Sequence, residues 1–160
     1  MAGAREVAGF RVARVAHTLP MRGPWQSLLF VAAGSAYCGL GVLLGAAGAH
    51  VFGPTMTVRE FDAYRTAVDF QMIHALGLIA TGLLAARLHN RRAALWTGYF
   101  FLGGVPLFCF SIYGSSVYKL TILDSVAPFG GLCFLAGWIL LALAAHAGWS
   151  EAGTSGNGTE

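Results

Sequence analysis

The chain has 160 residues, of which 56% are apolar types and only 11% are charged, with a formal net charge of +3 and a mean hydropathy of +0.64. Soluble domains carry about 25% charged residues, so this balance excludes an ordinary water-soluble globule and points to a polytopic membrane protein. A small net charge carried by clustered arginines also gives no footing for a nucleic-acid partner.

Residues 1–24 form a basic extension that holds Arg5, Arg11, Arg14 and Arg22 against a single acid, Glu6. No apolar signal-peptide core precedes the first long apolar run. The pattern suits a mitochondrial targeting segment and equally a plain positive-inside anchor. Beyond it, charges are absent between Arg22 and Arg59, Asp69 and Arg87, Arg92 and Lys119, and Asp124 and Glu151. Crossing the hydrocarbon takes about 20 residues, and lipid cannot satisfy free backbone groups, so each gap predicts a helix. The expectation is an all-α, four-helix transmembrane bundle over 25–148, with helices near 26–50, 58–88, 93–118 and 126–147, and a flexible polar tail over 149–160.

The first helix carries Gly41 and Gly45 as G-x-x-x-G, extended by Ala49. Small residues let helix backbones approach closely in lipid, and Gly104, Gly130, Gly131 and Gly137 extend that packing set to later helices. The second helix has a readable start, with Thr57 and Glu60 spaced as a capping box after Pro54. At 100° per residue, Arg59, Asp62, Arg65 and Asp69 share one side, a solvated stripe in which Asp69 can pair with Arg65. Gln71 and His74 fall on a different side and need partners inside the bundle. In the third helix, Pro106 removes a donor and frees the carbonyl of Leu102, which predicts a kink. For the fourth, Ser125 is the expected N-cap and Pro128 lies in the first turn.

Arginine and lysine set the orientation. The first extension and the second loop hold all of the basic residues except Arg59, Arg65 and Lys119, which favours both termini on the cytoplasmic or matrix side. Trp25, Trp96 and Trp149 then lie near that interface as anchors. Cys38, Cys109 and Cys133 are widely spaced within apolar runs and read as small buried hydrophobes.

Four motifs then fall in order: "GAAGAH" (45–50), "AVDFQMIHAL" (67–76), "GVPLFCFSIY" (104–113) and "APFGGLCFLAGW" (127–138). Together they resemble the small four-helix membrane family known as domain of unknown function 423, whose pattern is close to GAxGAH, AxxYQxxHAL, GxxLFSGSLY and TPxGG…GW. Phe70 stands where the family has Tyr, Cys109 and Phe110 where it has Ser-Gly, and Ala127 where it has Thr. These variants look more like the family's eukaryotic members. The resemblance implies a fold and a membrane, with the mitochondrial inner membrane favoured over a bacterial-type inner membrane. It brings no established activity or cofactor.

His50, Gln71 and His74, with Ser111 or Tyr113, are the candidates for an interhelical polar cluster. Two alternatives use the same residues: a small transporter or channel component, and a haem- or metal-binding protein held through His50 and His74. No P-loop, nucleophile elbow, H-E-x-x-H or paired carboxylate occurs, so neither catalysis nor a cofactor is expected. The reading is a structural or accessory subunit, in contact with the lipid bilayer, that packs against other membrane subunits or itself.

Overall fold

The computed structural model describes residues 25–85 and 91–155. Helix α1 (Trp25–Ala47) runs into a π turn (Gly48–Phe52) and a 3₁₀ turn (Gly53–Thr55), and α2 spans Val58–Leu84. Helix α3 (Arg91–Val105) continues through a second π turn (Pro106–Phe110) into α4 (Ser111–Tyr118), and a 3₁₀ turn (Thr121–Ser125) leads to α5 (Ala127–Ser155). Four runs are long and apolar enough to cross a membrane: Trp25–Thr55, Val58–Leu84, Arg92–Tyr118 and Thr121–Ala147. No strand occurs among the described residues. The all-α, four-span class expected from the charge gaps is the observed one.

The first and second spans pair along their length, as do the third and fourth, and the second packs on the third. Phe30, Tyr64, Leu78, Phe101, Val105 and Phe134 form the centre of the core. Val42, Leu43, Leu76, Leu132 and Leu143 point outward and stay exposed; lipid tails are as apolar as leucine, so such a surface costs nothing in a bilayer.

Close approach of the spans depends on glycine. A Cβ on Gly34 would lie 2.7 Å from the Ala75 carbonyl, and one on Gly82 would lie 2.7 Å from the Ser27 carbonyl. Backbone therefore meets backbone at two levels of the α1–α2 pair. Among the expected packing glycines, Gly41 faces the Met72 sulfur, Gly104 the Phe134 ring, Gly137 the Phe101 ring and Gly130 the Phe108 backbone. Gly45 and Gly131 are corrections: their nearest neighbours would stand 3.6 Å and 3.9 Å from an added Cβ, which is ordinary contact. The G-x-x-x-G motif thus acts through Gly41 rather than Gly45.

Where the connections between spans one and two and between spans three and four lie, polar groups hold the helix ends. Thr57 accepts from the Glu60 amide at 3.3 Å and the Glu60 carboxylate accepts from the Thr57 amide at 2.8 Å, completing the expected capping box. The same carboxylate pairs with Lys119 at 2.6 Å. Lys119 ends α4 in the left-handed region at φ 59°, a position glycine usually fills, and its ammonium also donates to the Ser116 carbonyl at 3.1 Å. Thr57→Ala is expected to lower stability by about 1 kcal/mol, seen as a lower thermal midpoint in detergent.

Two further boundaries and one ion pair differ from expectation. Ser125 closes the 3₁₀ turn and does not cap α5, because the Phe129 amide donates to the Val126 carbonyl at 3.1 Å. Helix α5 runs on to Ser155, so the polar tail read as 149–160 is helical in its first part. No glycine among the described residues takes the left-handed backbone that would stop it, and residues 156–160 lie outside the described ones. Arg65 and Asp69 form no ion pair with each other; the pair on this part of the bundle joins Lys119 to Glu60.

Candidate functional site

The inward-facing polar residues converge on a seam between the first three spans. Gln71 is fully buried. Its amide donates to the Tyr37 carbonyl on α1 at 2.8 Å, and its carbonyl accepts from the Tyr113 hydroxyl on α4 at 3.0 Å. One side chain therefore ties the second span to the first and third. Gly41 makes this possible, since a Cβ there would crowd both Met72 and the Gln71 amide.

Two tyrosines extend the seam. The Tyr64 hydroxyl donates to the Leu44 carbonyl at 2.8 Å, and its ring lies against Gly48, where a side chain would collide with it. Tyr64 and Tyr113 also meet, with ring centroids 4.8 Å apart. The Tyr37 hydroxyl donates to the Leu102 carbonyl at 2.9 Å. That carbonyl is the one Pro106 leaves without its helical donor. Proline inside a membrane helix is tolerated when a neighbour re-satisfies the freed group, and here Tyr37 of the first span does so. The π turn beginning at Pro106 is the local distortion expected at that position.

A double-mutant cycle tests this link. Tyr37→Phe should lower stability by about 1 kcal/mol. Against Pro106→Ala, which restores an N–H to the Leu102 carbonyl, the same change should cost markedly less. Additive effects in the thermal unfolding of the two singles and the double would mean the carbonyl is not shared.

His74 occupies a separate chamber. It is buried, 4% exposed, and stacks on Phe134 with centroids 3.5 Å apart and planes at 12°. Phe101 and Trp138 close the other sides. Its Nδ1 lies 2.7 Å from the Phe70 carbonyl; a carbonyl can only accept, so Nδ1 carries the proton. Gln71 and His74 both point inward, but only Gln71 bonds to another span.

The other two candidates do not join the cluster. Ser111 donates to the Leu107 and Phe108 carbonyls of its own span, as serine does when it back-bonds inside a helix. His50 is exposed in the first π turn, and no contact links it to His74. It was a candidate as an ionisable residue near the end of the first span, and the π turn Gly48–Phe52 leaves it on the exposed side. Among the described residues, no three His, Cys, Asp or Glu side chains gather as a metal site, and Cys38, Cys109 and Cys133 are free thiols. Sequence reasoning missed Tyr37, Tyr64 and Gly48. A tyrosine in mid-span was the available signal, since its hydroxyl must find an acceptor in lipid.

The family model described as "Protein of unknown function (DUF423)" matches residues 44–131. The chain belongs to the DUF423 family. It is 33% identical over 117 residues to the UPF0382 membrane protein YwdK of Bacillus subtilis (strain 168), covering 73% of this chain and 95% of the relative. It is 36% identical over 107 residues to the UPF0382 inner membrane protein YgdD of Escherichia coli (strain K12), covering 65% and 79%. A UPF0382 membrane protein of Staphylococcus haemolyticus (strain JCSC1435) is 33% identical over 113 residues, covering 71% and 91%. No solved structure matches the chain. This DUF423 protein is thus an integral membrane protein of a family of unknown function. The matched segment takes in Tyr64, Gln71, Leu102, Pro106, Tyr113 and Gly130, while Tyr37 lies outside it.

Proposed function

We propose that this DUF423 protein is a non-catalytic structural or accessory subunit that packs against other membrane proteins or a second copy of itself, in the mitochondrial inner membrane. The observation that carries the reading is the use of Gln71. Both ends of its amide are engaged, to the Tyr37 carbonyl and the Tyr113 hydroxyl, so it fastens the second span to the first and the third. A transporter built on His50, Gln71 and His74 has less support, because His50 stands apart from the other two. The arginine-rich residues 1–24 support the mitochondrial location, and the arginine bias supports placing both termini on the matrix side.

Native purification of the tagged chain in mild detergent tests the role. Co-elution with a respiratory assembly is the expected result. A uniformly monomeric protein without companions would overturn it. Fractionation with protease protection of the C-terminal tag tests the compartment and orientation.

A further inference from the structure

A cavity of about 150 Å³ opens between the first and second spans, on the side of the bundle that carries the Glu60–Lys119 pair. Gly45, Gly48 and Ala49 of the first span line it on one side and Phe61, Tyr64 and Val68 of the second on the other, with Arg65 and Asp69 also in the lining. Both charged residues are exposed, and neither has an ion-pair partner among the described residues. Asp69 lies nine residues beyond Glu60, about 13 Å further along the helix, next to exposed Ile73 one turn on. A bare carboxylate and a bare guanidinium are costly beside acyl chains. The Arg-before-Asp order is also the less favourable one for mutual pairing within a helix.

From this charge pattern we infer that the cavity is a docking site for a bilayer phospholipid with a phosphoethanolamine headgroup. Arg65 and Asp69 are one helical turn apart, about 5–6 Å between Cβ atoms, a span that suits the two-carbon bridge between the lipid's phosphate and its ammonium. The guanidinium donates to the phosphate, and the primary ammonium donates to the Asp69 carboxylate. Gly45 leaves the floor low for a headgroup, because an added Cβ there would meet only the Val68 side chain, at 3.6 Å. An anionic headgroup would satisfy Arg65 and repel Asp69. A quaternary ammonium has no N–H for the carboxylate and needs an open aromatic cage, whereas the Tyr64 ring is already packed against Gly48 and Tyr113. The inference stands apart from the proposed accessory role.

Native mass spectrometry of the full chain in mild detergent tests it, with phosphatidylethanolamine, phosphatidylcholine and phosphatidylglycerol of identical acyl chains as probes. The ethanolamine lipid should give a one-to-one adduct favoured about tenfold over the other two, the ratio that one hydrogen bond to a charged group supplies. Asp69→Asn should reduce that preference to the choline level, and Arg65→Gln should weaken all three adducts. Gly45→Leu should fill the floor and abolish the adduct, while Gly131→Leu leaves it intact. Equal adducts for the three lipids would overturn the inference. So would a preference for the glycerol lipid, a preference that survives Asp69→Asn, or a chain dimer that excludes lipid.

Discussion

Gly130→Leu is expected to prevent stable docking of the fourth span, whereas Gly131→Leu should leave the bundle close to wild type. A Cβ on Gly130 would stand 2.7 Å from the Phe108 Cα and meet the Phe108 amide nitrogen as well. Real Cβ atoms do not reach such distances, and the obstacle is backbone, which cannot rotate aside. Phe108 lies in the π turn that starts at Pro106, so relief would require shifting the whole third span. Overpacking that side chains and backbone can absorb by shifting costs about 1–3 kcal/mol and occasionally more; with backbone as the obstacle we expect the upper end, about 3 kcal/mol or more. One residue on, the Gly131 Cβ would meet only the edge of the Phe108 ring, at 3.9 Å, and leucine there should change stability by no more than about 0.5 kcal/mol. Recovery of monodisperse protein and its thermal midpoint in detergent separate the two variants. Equal behaviour would show that the third and fourth spans are not in backbone contact at Gly130.

The second large effect is expected at Gln71. Gln71→Ala removes the donor to the Tyr37 carbonyl and the acceptor for the Tyr113 hydroxyl, and it leaves a hole at a fully buried position. Hydrogen bonds between membrane helices average only about 0.6 kcal/mol each. The cavity and the stranded Tyr113 hydroxyl add to that, so a total of about 2–4 kcal/mol is expected. Gln71→Leu keeps most of the volume and should cost less. In a Gln71→Leu background, Tyr113→Phe should become nearly neutral, because the hydroxyl no longer has a partner to lose. Chemical or thermal unfolding of the four proteins measures the coupling. A Tyr113→Phe penalty unchanged by Gln71→Leu would show that the bond does not contribute to stability.

Both predictions rest on features that differ in how far the linear sequence reveals them. The capping box at Thr57 and Glu60 is local: donor and acceptor lie three residues apart, and spacing alone names both. Pro106 is half local. The sequence identifies the carbonyl it strands, at Leu102, but not the hydroxyl that claims it, which comes from Tyr37 on another span. The glycines show the same division. Gly130 and Gly131 are adjacent and chemically identical, yet one meets backbone and the other has room.

Span number and class were therefore decided by the chain itself. Charge is excluded from hydrocarbon wherever it occurs along the chain, so four uncharged gaps mean four crossings irrespective of how the helices pack. The inward direction of Gln71 and His74 was also legible, because helical phase relative to the charged stripe is a property of one helix. Which partners those side chains meet was settled only by tertiary structure. Interspan bonds depend on the rotation and axial offset of each helix against its neighbour, and these are set by steric contacts such as Gly34 on Ala75 and Gly48 on Tyr64. That offset joins Gln71 to Tyr37 and Tyr113, encloses His74 between Phe134 and Trp138, and leaves His50 outside.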